Sequence, residues 1–382
     1  MSTELTSWEA LSGQYQLHPG TTRSIVGQRP VLGAGRLGRL LRGQRGSEVS
    51  RSLSSVFTLC AHAHRRTANL ALAAAQVGSP VPLNEAPVLL WLETARDHLR
   101  SMALDWPQRL PQAHADARNL GWLSGCPLPL GTASPVTDAA VAWQLLAALR
   151  AWLEQHVLGQ SVLAWLAACR DPDAFAAWCR AQAPQLAPAY CLAAWQPIAQ
   201  ALAPQMRCLD LLDEDPALQS ARLRQLARSL VEEPDFVQRP TWLGQCAETG
   251  AWSRLRQRHG QAQTQPSAWT RLSARWLELV ELAAADPSTP SQGSAPLLAT
   301  GSLSLGKGQA LGWCEMARGL LLHWVQLDAD GRVRDYRVLA PTEWNFHPDG
   351  ALAHALAALS PDDTAAARTL AAAFDPCVVC TV

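Results

Sequence analysis

Residues 371–382 read AAAFDPCVVCTV. The alanine run up to Phe374 has helical character, and Asp375-Pro376 ends it, because proline cannot continue a helix and restricts the residue before it. Two cysteines follow, Cys377 and Cys380, in a C-x-x-C pair beside the last residues of the sequence. Packing gives little reason for thiols there. In a reducing compartment such a pair points to metal or redox chemistry. A thioredoxin-type reading is weak, because the pair closes the sequence rather than opening a helix in a βαβ unit. Two buried thiols are the plain structural alternative.

Ligands for such a pair must come from elsewhere in the chain. FTLCAHAHRR at 57–66 offers them. Cys60 and His64 are spaced i, i+4, so one helix face carries both and both can reach one metal. A lone Cys-His pair is also ordinary packing. Together, Cys60, His64, Cys377 and Cys380 are the parts of a three-cysteine or three-cysteine, one-histidine site. Residue chemistry alone makes zinc the default metal and iron the soft-ligand alternative.

The rest of the composition narrows the function. The chain has 382 residues, is 48% hydrophobic and has a formal net charge of +0, with a pI near 7.1. A sizeable core is affordable, and no global field pulls the molecule onto nucleic acid or an anionic membrane. The start, MSTELTSWEALSGQ, has neither a basic n-region nor an apolar h-region, and no run of apolar residues is long enough to span a bilayer. A cytoplasmic protein with reduced cysteines is expected, with no nucleic-acid or membrane partner. Cys126, Cys169, Cys179, Cys191 and Cys208 read as buried small hydrophobes.

Along the chain, residues 1–50 read as a β/loop segment with a small hairpin within 9–30. Residues 51–285 read as a helical core with three- and four-residue apolar spacing, broken at Pro-rich joints near 79–82, 126–135, 184–188 and 234–240. Its tryptophans (Trp91, Trp106, Trp122, Trp143, Trp152, Trp165, Trp178 and Trp195) read as inter-helix packing. Residues 286–382 hold a linker, a hairpin around the DADG turn in GLLLHWVQLDADGRVRDYRVLAP, and the cysteine segment. The fold class expected is α+β, mainly helical, in a single domain over 1–382. GAGRLG at 33–38 matches a dinucleotide fingerprint in letters only. No acidic residue follows at the required distance, so a flexible basic loop is the better reading.

These motifs resemble the large subunit of [NiFe] hydrogenases, which carries an N-terminal C-x-x-C-x-x-x-H and a C-terminal D-P-C-x-x-C-x-x-H. Phe57 stands where the first cysteine belongs, Cys60 is the second, and His64 falls on the histidine. GWCEMARGLLLHW is similar to the family's G-W-x-E-x-P-R-G-x-x-x-H segment: Glu315, Arg318, Gly319 and His323 match, and Ala317 replaces the proline. LAPTEWNFHP is similar to P-[ST]-x-W-N-x-x-P through Pro341, Thr342, Trp344, Asn345 and Pro348. The resemblance anchors residues 51–68 and about 311–382. By motif order it implies a large-subunit-like fold for the whole chain, a helical core with small N- and C-terminal β-hairpins.

Three departures change the implied function. Phe57 removes one thiolate, so a four-thiolate nickel site cannot form and no nickel is expected. Ser12 stands loosely where the family's proton-relay glutamate belongs. The sequence stops at Thr381-Val382, without the terminal histidine or cleaved extension of the catalytic subunit. This pattern resembles the HupK/HoxV-type hydrogenase accessory proteins. It implies a maturation scaffold and not an enzyme. Such a scaffold transiently holds an Fe(CN)2CO fragment and passes it to the [NiFe] hydrogenase large subunit precursor, with iron-cofactor assembly chaperones as further partners. A structural zinc protein using the same cysteines as a lock, or a degenerate large-subunit-like interaction protein, is the alternative.

Within the resemblance, Cys60 and Cys380 correspond to the two thiolates that bridge to iron. Cys377 corresponds to a terminal nickel ligand. The iron half of the site is kept and the nickel half is broken. Arg318 and Thr342, beside Pro341, are then donors for bound cyanide; their ordinary alternatives are a salt bridge to Glu315 and a turn hydroxyl. His64 is expected to orient Cys60 or Cys380. His323 is expected to pack inside the fold.

Overall fold

The computed structural model describes residues 13–32, 35–76, 86–110, 118–131, 136–259, 266–286 and 296–382. Ser12, the joint at 79–82, part of that at 126–135, most of the 286–296 linker and the first two residues of GAGRLG lie outside them.

The chain is mainly helical with two small sheets. In the first sheet, β1 (Gln14–Leu17) pairs antiparallel with β2 (Ile25–Gln28). The expected N-terminal hairpin is therefore present. Helices α1 (Ser47–Val56), α2 (Ala61–Ala75) and α3 (Val88–Arg100) follow. A succession of helices then leads to α4 (Ala268–Ala283), whose residues are buried almost throughout. A helix apolar or paired on all sides belongs inside a bundle. Local chemistry sets several of the helix starts. Asp171 and Asp215 each accept backbone N–H bonds ahead of a proline at the first helical position. That combination caps the free amides and presets φ. Tryptophans cement the bundle, as expected: Trp106 meets Trp195 edge-on at 5.7 Å, and Trp165 meets Trp178 at 5.1 Å.

The second sheet is larger than the two-strand hairpin read from the sequence. It is a four-stranded antiparallel meander of β3 (Thr300–Gly306), β4 (Gln309–Met316), β5 (Gly319–Leu327) and β6 (Val333–Leu339). The β5–β6 turn is the DADG hairpin. Asp328 Oδ1 accepts the amides of Asp330 and Arg332 at 3.0 and 2.9 Å, and Gly331 takes a φ of 74°. β3 and β4 lack a clear strand signature because TGSLSLG is small and polar and because β4, buried on nearly every residue, shows no polar/apolar alternation. β5 is buried on nearly every residue, as a strand covered on both faces must be. The cover on one side is α2. The contact is so close that a Cβ on Gly312 would stand 2.4 Å from the Thr67 carbonyl oxygen and 2.7 Å from the Ala71 amide.

After β6, a short helix α5 (Pro341–Asn345) carries the P-T-E-W-N motif, and α6 (Thr364–Phe374) delivers the tail. Val379–Thr381 then form β7, which pairs parallel to β1, with Tyr15 opposite Cys380. The last residues are thus a strand of the N-terminal sheet.

Two smaller expectations are corrected. Among the five cysteines read as buried, Cys126 and Cys208 are only partly covered. Cys208 stays near the surface because it accepts a hydrogen bond from Arg256 at 2.9 Å. Arg36–Leu41 is a short helix and not a flexible loop, because Leu37 and Leu41 are buried. No helix among the described residues is long and apolar enough to cross a membrane.

Candidate functional site

Cys60 closes a single 3-10 turn and caps the N-terminus of α2. The first amides of a helix have no partner in their own helix and carry partial positive charge. Here Glu93 of α3 supplies the acceptors. Its Oε1 takes the His62 amide at 2.8 Å and its Oε2 takes the Ala63 amide at 2.9 Å. Burial nevertheless pushes the Glu93 carboxyl up to about 7, against those two amide bonds. The Cys60 thiol is raised far above its ordinary range, by burial first and then by the nearby Glu93 and Cys377.

One turn further along α3, Asp97 pairs with Arg318 in the turn between β4 and β5. Arg318 Nε also donates to the Asp375 carbonyl oxygen at 3.1 Å and lies 3.2 Å from its carboxylate. Asp375 ends α6 in a left-handed conformation, with φ 45°. Its Oδ1 accepts from Ser101 Oγ at 2.9 Å, and its Oδ2 pairs with Arg275 of α4 at 2.9 Å. Burial acts to raise this carboxyl, but Arg275 and then Arg318 hold it below the usual range. The Asp-Pro that signals a helix stop in the sequence is therefore a clamp that fixes where Cys377 begins. The Arg318–Glu315 salt bridge, the ordinary alternative for Arg318, is not formed. Glu315 instead accepts the Ala299 amide at 2.8 Å, because β4 turns its side chain toward the start of β3.

Cys377 Sγ stands 3.1 Å from Thr342 Oγ1 in α5, the residue after Pro341. The Thr342 hydroxyl thus faces a thiol. Beside Thr342, Glu343 forms a 3.5 Å ion pair with Arg29. Arg29 follows β2, lies over the Phe57 ring at 5.8 Å and is 7% exposed. Burial disfavours the Arg29 cation, but Cys377 and then Glu343 favour it, with a further contribution from Cys60. Arg318 is in the same situation: burial opposes its charge, and Asp375, Asp97, Cys377 and Cys60 support it. Two buried arginines therefore share their electrostatic surroundings with Cys60 and Cys377.

Cys380 is buried in β7, and its carbonyl oxygen accepts from Arg109 Nη1 at 2.6 Å. Burial pushes its thiol up to about 11, with Arg109 acting against that rise. Burial first and then Glu343 push the Tyr15 hydroxyl up, and Cys377 and Cys380 add to that rise. Among the described residues, no three Cys, His, Asp or Glu side chains are gathered as a ready metal site. Cys60 and Cys377 share one electrostatic neighbourhood, and Cys380 is turned toward Arg109.

His64 packs between Phe57 and His323. Phe57 stacks on it with ring centroids 3.8 Å apart and 5° between planes. Its Nδ1 lies 3.0 Å from His323 Nε2, and His323 Nδ1 lies 2.7 Å from the Tyr336 hydroxyl. Its contacts are thus with Phe57 and His323. Burial pushes His323 down to about 3, so this buried pair is neutral. Cys314 lies on β4 against α2, 2.9 Å from Thr67 Oγ1, and burial raises its thiol to about 12. Sequence reasoning missed Arg29, Glu93 and Asp97. For the last two a signal existed, since carboxylates at i, i+4 on the apolar face of a helix must find partners.

Comparison with known proteins agrees with this arrangement of motifs. Residues 299–382 match the family model of nickel-dependent hydrogenases. The chain is similar over 98% of its length, at 39% identity, to the hydrogenase expression/formation protein HoxV of Cupriavidus necator, covering 96% of that protein. It is 31% identical to the hydrogenase expression/formation protein HupK of Rhizobium leguminosarum bv. viciae (90% of this chain, 88% of that protein). It is 30% identical to HupK of Azotobacter vinelandii (96% and 95%). A solved NAD+-reducing [NiFe]-hydrogenase aligns over 89% of both chains with a TM-score of 0.46 and 15% identity. The molecule is thus an α+β, mainly helical protein with a hydrogenase-like C-terminal part. It belongs to the HoxV/HupK family of hydrogenase expression/formation proteins.

Proposed function

We propose that this chain is an accessory protein of [NiFe] hydrogenase maturation, acting in the cytoplasm as a scaffold and not as an enzyme. It takes up an Fe(CN)2CO fragment at Cys60, Cys377 and Cys380 and passes it to a hydrogenase large subunit precursor, with iron-cofactor assembly chaperones as donors. The observation that carries this reading is a pair of buried arginines, Arg29 and Arg318, whose charges are favoured by Cys60 and Cys377. Thiolates suit a soft metal fragment. Cyanide nitrogens are anionic acceptors, and guanidinium groups are always-charged donors with planar geometry. Thr342, already 3.1 Å from Cys377 Sγ, adds a hydroxyl donor beside Pro341.

Phe57 fills the fourth thiol position with a ring stacked on His64, which supports an iron-only holder without nickel. Few protein ligands are needed, because three diatomic ligands travel with the iron. A holder built on two or three thiols can let go. A structural zinc site takes four ligands, and His64, the fourth that the sequence offers beside the three cysteines, is engaged with Phe57 and His323.

The test is an infrared spectrum of the full chain, purified without oxygen from a host that makes the iron fragment. Bands of bound cyanide and carbon monoxide are expected. Stoichiometric zinc without those bands would replace this reading with the structural lock.

A further inference from the structure

The thiol site makes no use of the arginines that follow the GAGRLG stretch. Arg36, Arg39, Arg42 and Arg45 recur every third residue, and all four are exposed. Residues 36–51 carry five arginines against one carboxylate, Glu48, in a chain whose net charge is zero. Glu48 is turned back on the Arg45 amide at 3.1 Å. By contrast, Arg100, Arg150, Arg170, Arg207 and Arg222 each meet a carboxylate. Among the described residues, Arg36, Arg42 and Arg45 meet none. The adjoining end of the β5–β6 hairpin balances Arg332 and Arg334 against Asp328 and Asp330, so the excess belongs to the stripe itself.

A run of arginines on a loose loop is ordinary solvation, but this run is fixed. Leu37 and Leu41 are buried beneath it. A Cβ on Gly38 would stand 2.8 Å from Asp335 Oδ1 and 3.1 Å from the Tyr336 carbonyl oxygen, so the backbone lies directly on β6. The Gly43 amide donates to the Val333 carbonyl oxygen and the Val333 amide to that of Gln44, each at 2.9 Å. Arg332 Nη1 donates to the Gly43 carbonyl oxygen at 3.1 Å. Leu40, within the stripe, is 50% exposed. A cavity of about 370 Å³ opens beside it, with Leu32, Leu37 and Val237 among its apolar walls. Its charged lining is Arg39, Arg42 and Arg337 against Asp335 alone, and Asp335 is 3.6 Å from Arg337. Glu233 and Asp235 flank Pro234 in the chain but are not part of that lining.

We infer that this face docks an acidic segment of a partner protein, with its carboxylates on the stripe from Arg36 to Arg45 and its apolar side chains against Leu40 and the cavity. Arginine is enriched at protein interfaces, and its planar fork takes a carboxylate through two hydrogen bonds. A backbone already held on β6 lowers the cost of ordering on binding. Nucleic acid would call for a wider positive field than a neutral chain supplies. The inference does not depend on the cargo of the thiols.

The experiment measures binding of fluorescent synthetic peptides to the full chain by anisotropy. One peptide is a run of glutamates around a single leucine. A second carries glutamines in place of the glutamates, and a third carries serine in place of the leucine. A single-stranded oligonucleotide and phosphatidylserine vesicles are the competing anions. The glutamate–leucine peptide is expected to bind more tightly than either control and to weaken as salt rises. Arg36→Glu, Arg42→Glu and Arg45→Glu should each weaken it about twofold to fivefold, the range of one exposed charge pair. Arg180→Glu, the same change at an exposed arginine of the helical bundle, should leave binding native. Leu40→Ser should weaken the leucine peptide and leave the serine peptide unchanged. Equal binding of the three peptides, or an Arg180→Glu loss as large as that of Arg42→Glu, would overturn the docking face. Tighter binding of the oligonucleotide or the vesicles than of any peptide would replace the acidic protein segment with that anion. Salt-sensitive self-association of the full chain, lost in Arg42→Glu, would make the occupant a second copy and overturn the separate partner.

Discussion

Arg318 grips Asp375 twice, once at the backbone carbonyl and once at the carboxylate, from a turn 57 residues earlier in the chain. The same guanidinium pairs with Asp97, and the same carboxylate pairs with Arg275. Three elements, α3, α4 and the β4–β5 turn, therefore converge on the residue that ends α6. This clamp is why β7 can lie against β1 instead of fraying. Removing one partner of a buried pair leaves the other charge uncompensated, at a cost of about 3–5 kcal/mol. Asp375→Asn is expected to lower stability by that order in urea titration. Amide exchange in residues 376–382 should rise along with it. Native exchange there would mean that β7 holds the tail without the clamp.

The tail cysteines give a sharper contrast. Cys60→Ala is expected to abolish the cyanide and carbon monoxide bands. Cys380→Ala should do the same if, as the resemblance implies, it is the second iron ligand, while Cys377→Ala should leave a reduced signal. In the structure it is Cys377 whose charge registers at Cys60. The reverse order of effect between the two tail variants would therefore move the second ligand to Cys377.

Much of this was legible in the sequence because it is local. The helix stop at Asp375-Pro376, the DADG hairpin and the four motifs around Cys60, Arg318, Thr342 and Cys377 are patterns within a few residues. What was hidden is long-range pairing. Nothing near Arg318 says that its carboxylates are Asp97 and Asp375 rather than Glu315, three residues away. Arg29 sits in an unremarkable Gln-Arg-Pro, and only the fold brings it to Phe57 and Glu343. His64 stood out in the sequence through its spacing from Cys60. Its contacts depend on Phe57, which replaces a thiol with a ring and so gives the imidazole a stacking partner. β3 was missed because its residues are small and polar, and its role as an edge strand is set by its neighbour.

The packing of α2 on β4 predicts a glycine requirement. A Cβ on Gly312 would meet backbone atoms of Thr67 and Ala71 at 2.4 and 2.7 Å. Backbone cannot rotate away as a side chain can. Gly312→Ala is expected to cost about 1–3 kcal/mol, and it should loosen the helix that Cys60 caps. A chemical-denaturation midpoint within error of the native chain would show that α2 can slide at no cost.

Glu93 makes the pH dependence of stability testable. Its folded value is about 7, above the ordinary Glu value near 4.3. The folded state therefore holds this proton more tightly than the unfolded state between those limits. The sign follows: stability from Glu93 is fully present below the unfolded value and is lost as pH rises through about 7. Burial of the carboxyl drives the shift, and its amide bonds to His62 and Ala63 oppose it. The buried histidines act in the other direction, because His323 at about 3 makes folding less favourable as pH falls below the ordinary histidine range. A single pH curve would mix the two. The comparison with Glu93→Gln separates them. Between pH 5 and pH 7.5 the native chain should lose stability relative to the variant by on the order of 2 kcal/mol, whatever constant offset the lost amide bond introduces. Parallel stability curves for the two proteins across that range would show that Glu93 is ionised in the folded state, and that the N-terminus of α2 beside Cys60 is held by a full negative charge.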